Sequence, residues 1–415
     1  MIANSPTEAE RLYHEREQRV KDAVALRVPD RVPVVLTSNF WHATYGKCSA
    51  RDVMYNYDLN AELYERAVVE LQPDAVGTSF TITAVGPMLD LIDYRQLRWP
   101  GHGVADNCSY QYIDRELMKA DEYDLFTEDP TYYILTRLLP RVSTVAEPLA
   151  KLPQFAASQN LRLLASMRFL TPDVVGAITR LAEAGAEAQR MMQRALVHFQ
   201  KLNDLGFPSI IAGTVAAPYD YFADYMRGSK GIMLDMYRNR DKLLAAMDHI
   251  VPMTIRSAVA MGKAGKCNII FMPMHWGLDS FMSLKQFQTF FWPQLRAVML
   301  GMIEQGVVPC VFWEGDCSSR LETIADIPRG KAIYWFERTD MFRAKQVLGD
   351  IVCLRGGMSA SLLNTGTPDD VRARCRELIQ VVGKNGGFIL DGAPSGVPDE
   401  APLANVAAMM RAARD

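Results

Sequence analysis

Eight short apolar runs recur along this chain, and the later ones end abruptly in charge. VVPCVFWEGD (307–316) is the sharpest case: strand-type residues run into Glu314, Gly315 and Asp316. KAIYWFE (331–337) ends at Glu337, DIVCLRGG (350–357) contains Arg355, and GFILDGAP (387–394) contains Asp391. CNIIFMPMHWG (267–277) delivers His275. Carboxylates at the end of a buried strand are costly to desolvate unless something there uses them. Apolar strands that carry charged residues at their C-terminal ends are what a parallel barrel presents at its active face.

The other three runs are VPVVLT (32–37), PDAVGTSF (73–80) and PSIIAGTV (208–215). Stretches with helical apolar spacing separate the runs, over 50–71, 170–206, 283–306 and 367–387 among others. Thr171 and Thr367 read as N-caps with proline at the first helical position. Pro293 should kink or divide the helix it falls in. Eight strands alternating with helices favour a (β/α)8 TIM barrel over an open sheet. A doubly wound sheet would want a glycine-rich turn after the first strand, and TSNFWHATYG supplies none. Residues 1–30 form an N-terminal helical extension. Residues 81–160 are too long for a βα loop and read as an elaboration over the barrel mouth. The whole of 1–415 is taken as one domain.

The chain has 415 residues, and 49% hydrophobic content suffices for a full core. A net charge of -3 gives no reason to expect nucleic acid or an anionic membrane as partner. No apolar run approaches the ~20 residues of a membrane span, and the polar N-terminus lacks the core of a signal peptide. A cytoplasmic location is expected. The seven cysteines are scattered without a CxxC pair and read mainly as reduced core residues.

Convergence at one mouth gives a candidate set: Glu314, His275, Glu337 and Asp316 for chemistry, with Asn39, Trp41, His42, Trp276, Phe312, Trp313, Arg355 and Asp391 to bind substrate. His275, Glu314 and Glu337 could hold a divalent metal such as zinc, or act as general acid and base. Arg355 could clamp an anionic group. Plainer roles compete. Glu337 could pair with Arg338 or Arg355, Asp340 is a helix N-cap, Asp391 before Gly392 could make a turn, and His275 could be a bonded loop histidine. No local rule asks for Glu314.

Several blocks resemble the uroporphyrinogen decarboxylase superfamily: DRVPVVL, WPGHGV, QYIDRELMKADEYD, RGSKGIMLDMYRNRDKL, MSLKQFQTFFWPQL, GDIVCLRGG, PLANVAAMMRAA and, most specific, GTPDDVRARCRELIQVVGKNGGFIL. The resemblance runs from about residue 25 onward and implies a (β/α)8 barrel. True decarboxylases of this kind carry an Arg-Gln-Ala-Gly-Arg-Tyr type stretch after the first strand, where this chain reads SNFWHATYG. Thiol-directed methyltransferases bind zinc through His-x-Cys after the fifth strand and a last Cys. Here those places fall on Phe312, Glu314 and the neighbourhood of Ala393 or Pro394. The sequence is closer in type to the corrinoid-dependent demethylating branch. The resemblance thus implies a methyltransferase taking a methyl group from a small methylated, methoxy-aromatic or similar compound. A corrinoid (cobalamin), bound directly or on a partner protein, would receive it, with zinc as the candidate metal and a homodimer as an option. The alternatives are a lyase decarboxylating a small acid and a corrinoid- or tetrapyrrole-binding barrel without catalysis.

Overall fold

A computed structural model describes residues 7–78, 80–155, 167–392 and 396–414. The places near Ala393 and Pro394 lie outside the described residues. The barrel strands are β1 Val35–Ser38, β2 Ala75–Thr78, β3 Gly213–Thr214, β4 Ile269–Met274, β5 Val308–Trp313, β6 Ile333–Phe336, β7 Cys353–Met358 and β8 Phe388–Gly392. β3 to β8 form one six-stranded sheet in sequence order, and β1 pairs with β2, all in parallel. Two bridges close the ring: Val34 with Leu390, and Val76 with Ser209 just ahead of β3. The structure is therefore a (β/α)8 barrel.

Side chains alternate along a strand with a period of two, which sorts the interior into layers. Val35, Ala75, Ile269, Cys310, Ile333, Cys353 and Ile389 make the floor, and Val20, Ala23 and Val24 of the N-terminal helix α1 (Glu8–Val24) pack beneath them. The extension is thus a plug on the N-terminal end of the barrel. Its buried Arg19 reaches Asp74 at 2.7 Å, and Asp74 also takes Arg31 at 2.6 Å and the Val34 N–H at 2.9 Å.

One step up the same faces stand Thr37, Phe271, Phe312, Trp335, Arg355 and Asp391. Arg355 is fully buried. It donates to Asp391 Oδ2 through Nε (3.0 Å) and Nη2 (2.7 Å) and to Thr37 Oγ1 (2.7 Å), and its guanidinium lies 3.9 Å from the Trp335 ring centre. Thr37 in turn donates to Asp391 at 2.9 Å. One further step reaches the mouth, with Glu314 and Glu337 in line above Phe312 and Trp335.

Residues 81–155 form short helices and three short strands, Leu97–Pro100, Gly103–Val104 and Gln111–Tyr112. Buried Arg227 ties this segment to the barrel through Glu116 (2.7 Å) and Asp235, and Tyr123 donates to the same Asp235 at 2.7 Å. The proline-bearing helix divides as expected: a π turn, Phe287–Phe291, precedes Trp292–Glu304, with Pro293 in the first turn of the latter. One sequence expectation is corrected. The helix Arg240–Ala264 is long and apolar enough to cross a membrane by length and composition. Here it is a wall helix that buries Leu243, Ala246, Met247 and Ile250.

Removing one partner of a buried ion pair strands the other charge in the interior and costs about 3–5 kcal/mol. Asp391→Ala should therefore lower the urea midpoint well below that of the parent. An unchanged midpoint would show that the pair contributes nothing to the barrel.

Candidate active site

Three elements bring the mouth chemistry together. β4 ends at Met274, and the next residues, His275 and Trp276, turn over the rim. β5 ends at Trp313, so Glu314 follows on the inward face and donates its N–H to the Met274 carbonyl at 3.3 Å. The third element follows β3: a short helix, Pro218–Phe222, running into a π turn, Ala223–Arg227. It supplies Asp220 and Asp224, which the strand-end reasoning missed.

Asp224 is the organiser. Its Oδ2 lies 2.7 Å from His275 Nδ1, and its Oδ1 accepts the Trp276 indole N–H at 2.7 Å. Asp220, fully buried, accepts the backbone N–H groups of His275 (2.9 Å) and Trp276 (3.3 Å). Two carboxylates four residues apart thus hold both the backbone and the side chains of the His275–Trp276 corner. The elaborated segment braces them from above, where Gln96 Nε2 donates to the Asp224 carbonyl at 2.8 Å. On the far side of the ring, His275 Nε2 lies 3.6 Å from Glu314 Oε2. Glu337 sits behind Glu314, accepting the Gly315 N–H at 2.6 Å, with Arg338 Nε 3.8 Å away.

Electrostatics follow from this crowd of carboxylates. Burial alone would push the His275 imidazole down. The hydrogen bond to Asp224 and the charges of Asp220, Asp224 and Glu314 outweigh it and raise the group to about 9. Burial pushes the Glu314 carboxyl up. Neighbouring Glu337 and Asp224 push the same way, while His275 and Arg338 oppose. Burial also raises Asp220 against the pull of His275. The mouth therefore stores protons: an imidazolium at neutral pH and a carboxyl lifted toward protonation. Side-chain exposures of 38% for His275 and 47% for Glu314 leave both open to an incoming molecule.

The remaining sequence candidates divide. Trp276 belongs to the mouth and lies 4.7 Å from the Phe281 ring. Phe312 lies one layer down, 5.0 Å from Trp335. Arg355 and Asp391 are bonded to each other in that same layer. Trp313, one residue out of phase, points away from the interior against Phe287 and Tyr334. Trp41 is buried with its N–H on the Ala401 carbonyl at 2.7 Å. His42 is buried against Tyr64, and burial, helped by His198, takes its pKa down to about 4. Asn39 is half-buried in the turn after β1. Asp316 is exposed and accepts the Ser318 N–H at 2.9 Å, as a cap does. Asp340 likewise caps the helix Met341–Leu348.

The donors do not fit zinc. Among the described residues no three His, Cys, Asp or Glu side chains form a metal-binding group. One oxygen of Glu337 is taken by the Gly315 N–H. Protein zinc sites use three or four protein ligands.

A histidine whose folded pKa stands above its ordinary 6.5 contributes stability that is complete below 6.5. That contribution is lost as pH rises through about 9. Thermal unfolding between pH 6 and 10 should show this loss in the wild type and a flatter profile in Asp224→Asn. Parallel profiles would mean that Asp224 does not hold the His275 proton.

No curated protein matches the sequence. Among solved structures, a methyltransferase from Methanosarcina mazei superposes with a TM-score of 0.62 at 17% identity, covering 96% of this chain and 98% of that one. At that identity the likeness speaks for the barrel alone. The family profile for uroporphyrinogen decarboxylase (URO-D) matches residues 172–415, a span holding β3 to β8 and with them Asp220, Asp224, His275, Glu314 and Glu337. The chain therefore belongs to the uroporphyrinogen decarboxylase family.

Proposed function

We propose that the protein is a methyltransferase that takes the methyl group from a small methylated donor, methoxy-aromatic or similar, and passes it to a corrinoid. The observation that carries this reading is the Asp224–His275–Glu314 line at an open barrel mouth. An ether is a poor methyl donor because its leaving oxygen departs as an anion. A proton delivered to that oxygen removes the difficulty. The corrinoid, reduced to cobalt(I), would supply the nucleophile that takes the methyl carbon.

The chain's own groups do the rest. Glu314 gives its proton to the donor's heteroatom while the bond to methyl breaks, and the bonding pair stays on that atom. The demethylated product leaves with the proton, and Glu314 is left as a carboxylate. His275, held charged by Asp224, faces that carboxylate and stabilises it until solvent returns the proton. Trp276 and Phe281 offer flat apolar faces for an aromatic donor. The exposure of His275 and Glu314 suits an acceptor brought by a partner protein. The fold shared with a methyltransferase from Methanosarcina mazei agrees with this reading. The decarboxylase reading lacks comparable support, since Arg355, its anion clamp, is already bonded to Asp391 and Thr37.

Methyl transfer to reduced cobalamin, assayed across methoxyarenes and methylamines, tests the proposal. The wild type should demethylate at least one class. Glu314→Gln keeps the shape but loses the acid and should fall by roughly 10²–10⁴-fold. Absence of transfer from every donor, with reduced cobalamin and a corrinoid protein present, would sink it.

A further inference from the structure

The π turn Ala223–Arg227 carries Asp224, and the elaborated segment meets that turn at several points. In a π turn a carbonyl reaches the N–H five residues on, and five on from Asp224 is Ser229. Both groups take partners from the elaborated segment. The Asp224 carbonyl accepts from Gln96 Nε2 at 2.8 Å. The Ser229 N–H donates to Asp114 Oδ1 at 2.9 Å, and the Ser229 hydroxyl donates to Asp114 Oδ2. Between these two ties, the Leu117 and Met118 N–H groups share the Met226 carbonyl at 2.7 and 2.6 Å. Gly228 ends the turn at φ +64°, and a Cβ there would lie 2.8 Å from the Arg115 carbonyl oxygen.

Gln96 is buried and is itself held at both ends of its amide. Its Oε1 accepts the Tyr94 hydroxyl at 3.0 Å, and its Nε2 also donates to the Tyr112 hydroxyl. Its backbone carbonyl accepts the Ile113 N–H at 2.9 Å, next to the strand Gln111–Tyr112. An amide engaged at both ends has one orientation, so the place of the Asp224 carbonyl is fixed with it.

We infer that Gln96 and Asp114 are positioning residues for the mouth: from the elaborated segment they hold the π turn that aims Asp224 at His275 and Trp276. The segment is thereby a working part of the mouth as well as its cover. The charged groups at the His275 ring are Asp220, Asp224 and Glu314, with Glu337 and Arg338 behind Glu314. The phenols of Tyr94, Tyr112 and Tyr225 near the turn are raised by burial and stay neutral. Gln96 carries no charge, so any change it makes at His275 passes through the turn.

Nitrogen-15 NMR of the histidine-labelled full chain gives the titration midpoint of His275, which should stand near 9 in the wild type. Gln96→Met, close in shape but without donor or acceptor, should lower it by roughly one pH unit. Asp114→Ala, at an exposed position, should lower it in the same direction. Asp114→Asn loses the charge but keeps an acceptor for the Ser229 N–H and should stay close to the wild type. Arg95→Ala removes the exposed pair with Glu147 one residue from Gln96 and should leave the midpoint unmoved. An unmoved midpoint in Asp114→Ala or in folded Gln96→Met, a fall in Asp114→Asn as large as in Asp114→Ala, or an equal fall in Arg95→Ala would each overturn the inference. In the cobalamin assay Gln96→Met should lower kcat with little change in KM. That arm alone rests on the methyl-transfer reading: a wild type that transfers no methyl group strikes that reading, and the His275 midpoints still decide this one.

Discussion

The mouth of this barrel rests on a buried arginine. Arg355 of β7 bonds to Asp391 of β8 and Thr37 of β1 and lies over Trp335 of β6. One side chain thereby fixes four strands, including the two whose joining closes the ring. Buried charges are tolerated only when paired and hydrogen-bonded, and this one is held on every side. Its effect on function is indirect. By filling the middle layer with a rigid polar and aromatic plug, it leaves Glu314, Glu337 and His275 standing on a solid floor. Glu314 and Glu337 directly follow strand ends, and His275, one residue past β4, is held by Asp220 and Asp224.

Above that floor the arrangement depends on where like charges are brought together. Asp220, Asp224 and Glu314 surround a single imidazole, with Glu337 behind Glu314. Asp224 sits in a π turn, an irregularity that re-aims a side chain within a helix and is frequent at functional sites. The turn directs Asp224 at both ring nitrogens of the His275–Trp276 corner. Three carboxylates around one cation keep that cation protonated, and burial with the neighbouring charges of Glu337 and Asp224 lifts Glu314 toward its neutral form. Proton storage at an open mouth is the property from which the proposed methyl transfer follows.

Much of this was legible in the sequence, for definite physical reasons. Apolar runs of strand length ending in charge identified β4 to β8, and the two-residue period put Glu314 and Glu337 on one face. The same period, applied strictly, turns Trp313 outward; grouping it with Phe312 by adjacency ignored the alternation. Arg355 was visible as an unusual charge, but its partners Thr37 and Asp391 are hundreds of residues away or on the next strand, so a core role was hard to separate from a clamp. Asp220 and Asp224 lay in a helical stretch, where acidic residues normally mark a solvated face. Their i, i+4 spacing in PYDYFADYM, directly after the third strand, was the available signal. The apolar average of the helix Arg240–Ala264 escaped notice because Pro252 and scattered charges break its apolar run.

Carboxylates at the mouth hold a proton on His275 at neutral pH. Nitrogen-15 NMR of histidine-labelled protein reads this directly. Both ring nitrogens of His275 should carry protons at pH 7.5 in the wild type, and the signal should titrate near 9. Asp224→Asn should bring the midpoint down toward the ordinary value. A wild-type His275 that is a neutral single tautomer at pH 7.5 would contradict the account.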